Sequence, residues 1–262
     1  NGSSLFVFGE SYAGKYIPSL AAYILDNPSA ALPSLAGIGI GNGMVDPVTQ
    51  VTVYADWAFN FQLVDASQAD KLRSLQSQVV ADIKAEKWIA ANDGWNNITY
   101  NMLQWAGWPD PADVRYYGFD RLNFSAAESF LNDPAVRSRF GTPASVGKVT
   151  ICQSDVETAL VNDEMRSVKP IISRLLDTTS VKVLLFTGNF DPTLPVPETW
   201  ISTIDWQHRQ EWPTATRSVW RNPTTGATWG TTKTLESLTF TVVGAAGHQA
   251  CMDQQEAAAN MA

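Results

Sequence analysis

Four short runs of apolar or β-branched residues punctuate the chain: Leu5 to Phe8, Ile38 to Ile40, Val181 to Phe186 and Leu238 to Val243. Each breaks off in a glycine-rich or polar turn, the pattern of buried strands in a largely parallel sheet. Each also leads into residues with chemistry to offer. Ser11 follows the first run, Gly41-Asn42-Gly43 the second, Gly188-Asn189-Phe190-Asp191 the third, and Gly244-Ala245-Ala246-Gly247-His248 the fourth. Open α/β sheets carry their sites at the carboxyl ends of their strands. The stretch Lys15 to Leu25, directly after Ser11, has the texture of a helix.

Between Pro47 and about Arg166 the texture turns helical, polar and tryptophan-rich. Ser67-Gln68-Ala69-Asp70 resembles a capping box with Asp in place of the usual Glu, and apolar residues then recur at three- and four-residue spacings to about Ala91, which predicts a helix. Residues 92–118, with Gly94, Gly107, Pro109 and Pro111, read as loops around short elements, and Asn132 to Arg137 as a proline-started helix. The expected organisation is an α/β core in two parts, 1–46 and 167–262, with 47–166 as a helical insertion capping the sheet. Trp57, Trp88, Trp95, Trp105 and Trp108 are read as the core of that insertion, with a pocket lining as the alternative.

A strand, a tight turn and a helix around Gly9-Glu10-Ser11-Tyr12-Ala13-Gly14 form a nucleophile elbow, which exposes the serine above the sheet and lets a following backbone N–H face an oxyanion. Small residues are needed there because helix and strand backbones approach closely. Alone, Ser11 reads equally well as a turn serine or a helix cap. The order Ser11, Asp191, His248, each just past an expected strand, is the α/β-hydrolase order of nucleophile, acid and base. The other histidine, His208, lies in a polar run and is expected to be solvated.

Composition narrows the function classes. The 262 residues are enough for a substantial core, and 18 basic against 26 acidic residues give a net charge of −8, which argues against nucleic acid or an anionic membrane as partner. No apolar run approaches the roughly 18 residues of a membrane span. Asn1, Asn97 and Asn123 open glycosylation sequons. Two distant histidines and two cysteines offer no metal-ligand cluster, and no cofactor is expected. Cys152 and Cys251 have three options: one mutual bridge, bridges to other partners, or none.

The run Gly9 to Pro18 closely resembles the nucleophile signature of the serine carboxypeptidases. Gly37 to Gly43 followed by Asp46-Pro47, Val183 to Asp191 followed by Thr199-Trp200-Ile201, and Gly247-His248 with Asp253-Gln254 resemble further landmarks of that family. The resemblance implies an acid-active hydrolase that removes C-terminal residues from peptides, in a secreted or vacuolar/lysosomal setting. It implies Ser11, Asp191 and His248 as the catalytic triad, the Tyr12 N–H in the oxyanion hole, and Glu10, paired with a second acid not identifiable here, as the group that recognises the substrate's terminal carboxylate. Acyl transfer or lyase chemistry on the same scaffold, and a non-catalytic binding subunit, are the alternatives.

The family's upstream Asn-Gly-Gly-Pro-Gly-Cys-Ser-Ser motif, which carries the other oxyanion donor, does not occur in this sequence. The expectation is therefore a companion chain carrying the N-terminal strands, joined to Cys152 by a disulfide, with a homo-oligomer of that two-chain unit as a further possibility. Cys251 and Gln255 stand where the family commonly has proline, and Cys251 is expected to be a buried free thiol.

Overall fold

The structure, a computed structural model, describes residues 3–29, 33–118, 124–195 and 198–261. It begins with β1 (Ser4–Glu10), α1 (Ala13–Asp26) and β2 (Ser34–Gly41). A helical stretch follows: α2 (Pro47–Gln50), α3 (Tyr54–Asn60), α4 (Ala66–Lys84), α5 (Trp88–Trp105), a small hairpin of β3 (Pro109–Asp110) and β4 (Asp113–Tyr117), then α6 (Ser125–Asn132), α7 (Pro134–Arg139) and α8 (Ser154–Glu164). The chain ends with α9 (Lys169–Thr178), β5 (Lys182–Gly188), α10 (Glu198–Ile201), β6 (Arg217–Arg221), β7 (Thr228–Leu235), β8 (Leu238–Val243), α11 (Ala250–Asp253) and α12 (Gln255–Met261).

The main sheet has the order β1-β2-β5-β8-β7-β6. The four strands expected from the apolar runs are its parallel part, while β7 and β6 add an antiparallel margin that the sequence reading did not anticipate. Thr228-Trp229-Gly230-Thr231-Thr232-Lys233 is half-buried and threonine-rich, so it presents no apolar run; its β-branched residues pair across the ladder instead, as in the Thr232–Thr241 hydroxyl contact at 3.1 Å.

One continuous apolar core joins the sheet to the helical stretch. Ile38, Ile40, Val183 and Leu185 from the strands belong to the same cluster as Tyr54, Leu72, Val79, Ile98 and Met102 from the helices. Helices α6, α7 and α8 differ, for they bury no residue among those described. No helix of the described residues is long and apolar enough to cross a membrane.

Two sequence expectations are corrected here. The capping box of α4 is formed by Asp65 and Gln68, not Ser67 and Asp70: Gln68 N donates to Asp65 Oδ1 at 2.8 Å, and Asp65 N donates to Gln68 Oε1 at 2.9 Å. Nor does the helix run to Ala91; α4 stops at Lys84, and much of the stretch read as loops is α5. Ala91, Trp95, Ile98, Met102 and Trp105 recur at helical spacing on its inner side, but Gly94 and the asparagine pair beside it obscured the period. Gly94 is a packing glycine, since a Cβ there would lie 2.6 Å from Val79 Cγ2 on α4. Trp57, Trp88, Trp95 and Trp105 are half-buried against the core, Trp57 also bordering a surface groove, and Trp108 lies edge-on to Tyr100.

Replacing Asp65 by Ala is expected to lower stability by about 1 kcal/mol, while Ser67→Ala stays within about 0.5 kcal/mol of wild type. Denaturant unfolding of the two variants checks this, and the reverse ranking would contradict the assignment of the cap.

Candidate active site

Four neighbouring parallel strands deliver one residue each to the same end of the sheet. Ser11 follows β1, Asn42 follows β2, Asp191 lies beyond β5, and His248 lies beyond β8. Ser11 has φ +62°, a left-handed conformation that costs a non-glycine residue about 1–3 kcal/mol and needs support from its surroundings. Ser11 N donates to Gly41 O at 2.9 Å, and Ser11 O accepts from Gly14 N at 3.0 Å and Met44 N at 3.1 Å. Gly14 allows this closeness, because a Cβ there would fall 2.6 Å from Met44 O.

The side chains form a continuous line. Ser11 Oγ lies 2.8 Å from His248 Nε2, and His248 Nδ1 lies 2.8 Å from Asp191 Oδ2. An ionised carboxylate only accepts hydrogen bonds, so Nδ1 carries the proton and Nε2 is left to accept from the serine hydroxyl. Asp191 is wholly buried, and donors cover both its oxygens: Asn42 Nδ2 at 2.6 Å and His248 on Oδ2, and the amides of Thr193 at 2.8 Å and Leu194 at 3.0 Å on Oδ1.

For His248, burial is the largest single influence and disfavours the charged ring. The Asp191 charge, the hydrogen bond to it and the Glu10 charge together outweigh burial, and the pKa is raised.

Asn42 was not assigned a role from sequence, and it is the residue on which the acid's orientation turns. It is fully buried at φ +40°, its Nδ2 also reaches Thr187 Oγ1 at 3.1 Å, and its Oδ1 accepts from Gly188 N at 3.0 Å. The only signal in the sequence was its place after a strand, between two glycines.

The helical stretch grips the same loops. Trp95 Nε1 donates to Tyr54 Oη at 2.6 Å, and Tyr54 Oη donates to Thr193 O at 2.6 Å, two residues from Asp191. Behind β3, Ala112 O accepts from His248 N at 2.6 Å.

Glu10, partly buried, precedes the serine. Burial is the largest influence on its carboxyl and raises its pKa; hydrogen bonds from Cys251 and Ala250 and the charge of His248 only partly offset it. Among the described residues, the groups that act on Glu10 are Cys251, Ala250 and His248. Tyr12 N is not a donor in the bonds that close the elbow, while its phenol donates to Asp163 at 2.7 Å. His208 is not simply solvated: it is partly covered, 2.9 Å from Glu211 and edge-on to Trp206.

Both cysteines are free and exposed, so Cys251 is not the buried thiol expected. The short helix α11 leaves the residue at the surface while its sulfhydryl turns toward Glu10, and burial of the thiol group together with Glu10 pushes its pKa up to about 12. Asn97 is exposed on α5, and Asn1 and Asn123 lie outside the described residues. No cluster of three or more potential ligands for a metal occurs among the described residues.

The profile of the serine carboxypeptidase family matches residues 1–262. A probable serine carboxypeptidase CPVL of Dictyostelium discoideum is 33% identical over 276 residues, covering 99% of this chain and 53% of the relative. Serine carboxypeptidase-like 50 of Arabidopsis thaliana is 32% identical, covering 93% of this chain and 54% of its own length, and a venom serine carboxypeptidase of Apis mellifera is 30% identical, covering 96% and 55%. The chain thus spans about half the length of the curated relatives it matches.

Among solved structures, the crystal structure of Kex1(Δ)p, a prohormone-processing carboxypeptidase from Saccharomyces cerevisiae, superposes with a TM-score of 0.74 at 20% identity, covering 98% of this chain and 62% of that one. That likeness establishes the fold, an α/β hydrolase in which helices flank a mainly parallel sheet. With the full-length profile match and the elbow geometry, it shows that this chain belongs to the serine carboxypeptidase family.

Proposed function

We propose that the protein is the part of a serine carboxypeptidase that carries the nucleophile, acid and base, and that it cleaves the last peptide bond of peptides. The supporting observation is the unbroken hydrogen-bond line Ser11–His248–Asp191, with distances of 2.8 Å at both joints. His248 Nε2 takes the proton of Ser11 as Oγ bonds to the scissile carbonyl carbon. The Tyr12 N–H receives the oxyanion. The imidazolium then gives its proton to the departing amine, and water, activated by the same imidazole, releases the acyl group from Ser11.

Glu10 supplies the exopeptidase character. A protonated Glu10 donates to the α-carboxylate of the substrate, whereas an ionised one repels it, and partial burial favours the protonated form. Acidic operation therefore resides in substrate binding, while His248 must be neutral to act. As pH rises through the raised pKa of Glu10, KM for free-acid peptides increases; as pH falls through the raised pKa of His248, kcat decreases.

The other oxyanion donor and the second acid are assigned to a companion polypeptide. Phe6 and Phe8 are exposed on the outer face of β1, which is the edge strand of the sheet, and with Trp220 and Met261 they border an open groove. An uncovered apolar sheet face of this kind calls for a covering partner. Cys152 is exposed on the stretch that runs into α8, between exposed Ile151 and Val156, and Phe130 and Phe140 of the same helical stretch are exposed as well. A disulfide from Cys152 to the companion and passage through a secretory route, with Asn97 as a glycan acceptor, complete the reading.

Four outcomes are expected. Hydrolysis of blocked dipeptides is lost in Ser11→Ala, and the KM limb in the pH profile is absent for C-terminally amidated substrates; retained hydrolysis, or identical KM profiles for acid and amide, would contradict the reading. Asn42→Ala removes one charge-assisted bond from Asp191 and lowers kcat roughly 10- to 100-fold with KM little changed, as steady-state kinetics will show. Non-reducing peptide mapping finds Cys152 joined to a second polypeptide; a Cys152–Cys251 pair would refute the companion link.

A further inference from the structure

Cys251, at the start of α11 and only three residues beyond His248, meets Glu10. Its amide donates to Glu10 Oε1 at 3.2 Å, and its thiol and the neighbouring Ala250 amide act on the same carboxyl, each favouring the ionised form. We infer that Cys251 is a positioning residue for Glu10, its amide and thiol together fixing the carboxyl beside the base loop in the orientation from which it meets a substrate's terminal carboxylate. This rests on the reading of Glu10 as the carboxylate-recognising acid.

The contact has a direction. The charged or titratable groups that face Glu10 are Cys251 on α11 and His248 on the loop before it; β2 faces it through the backbone of Gly41. With its pKa near 12 the thiol stays protonated under any working condition, so it is a permanent donor to Glu10 and favours the ionised carboxylate. Burial favours the acid. Cys251 therefore limits how far up the pH scale Glu10 keeps its proton, and thereby limits the range over which a free-acid substrate is held.

The same bond shields the thiol. Burial of the sulfur and, after it, the charge of Glu10 both oppose a thiolate here, so Cys251 is slow toward alkylating reagents although the residue as a whole is exposed. Removing the charge of Glu10 lifts the second of these.

Two measurements test the inference. In the first, iodoacetamide alkylation of Cys251 in the assembled enzyme is followed by peptide mapping, with added glutathione as the reference thiol. Glu10→Gln is expected to accelerate modification of Cys251 about tenfold or more at pH 8, and a change within roughly twofold would overturn the contact.

In the second, the pH dependence of KM for a free-acid peptide is compared with that for its amide in the assembled enzyme. Cys251→Ala moves the rise of KM to higher pH with kcat unchanged, and Cys251→Ser, which keeps a donor, stays near wild type. An unmoved limb in Cys251→Ala, or a limb in Cys251→Ser displaced as far as in Cys251→Ala, would overturn the positioning role. Failure of the parent reading looks different: Glu10→Gln then leaves the acid-to-amide KM ratio unchanged while Cys251 still becomes reactive.

Discussion

A carboxylate with no contact to water organises this molecule. Removing a carboxylate from solvent costs several kcal/mol unless donors replace the lost water. Asp191 has four: the Asn42 amide, two backbone N–H groups and the His248 ring. These partners come from β2, from the loop after β5 and from the loop after β8, so the burial of one charge fixes the relative position of three strand ends. The ring of His248, held at one nitrogen by Asp191, aims the other at Ser11. Even the left-handed backbone at Ser11 and Asn42 follows from this, since the two turns are fastened to each other and to β5 by the bonds from Ser11 N to Gly41 O and from Asn42 N to Phe186 O.

The helical stretch between β2 and β5 extends the same network. Tyr54 and Trp95 hold the loop that follows Asp191 through Thr193, and the backbone of Ala112 holds that of His248. Because α3, α4 and α5 share one apolar core with the sheet, a change in their packing reaches the acid and the base through two hydrogen-bond routes. By contrast, α6 to α8 bury nothing, and the outer face of β1 leaves Phe6 and Phe8 uncovered. The hydrogen-bond line from Ser11 through His248 to Asp191 is closed within the described residues, and the uncovered areas are where the proposed companion would dock.

The four parallel strands were legible because each is a short apolar run closed by glycine, and so were the positions of Ser11, Asp191 and His248 just beyond three of them. Asn42 was not, because an asparagine after a strand carries no chemical signature until its neighbours in space are known. β7 escaped notice because a half-exposed, threonine-rich strand lacks an apolar period, β6 because its mostly exposed Arg217-Ser218-Val219-Trp220-Arg221 has no buried face to read, and α5 because Gly94, a residue of close packing, has the look of a loop marker. The cap of α4 was misplaced by two residues, since Ser67 and Asp65 are equally good acceptors in sequence and only the backbone conformation chooses between them. The exposure of Cys251 depends on how α11 leaves the base loop, a tertiary fact that no local pattern encodes.

The central claim is that Asp191 holds His248 in one tautomer and favours its charged form despite burial. With only two histidines in the chain, imidazole ¹H–¹⁵N correlation spectra across a pH series measure this directly. The account predicts that His248, identified by substitution of His208, carries its neutral-form proton on Nδ1, titrates above the ordinary histidine value of about 6.5, and loses both properties in Asp191→Asn. A His248 that exchanges freely between tautomers and titrates at the ordinary value would contradict it.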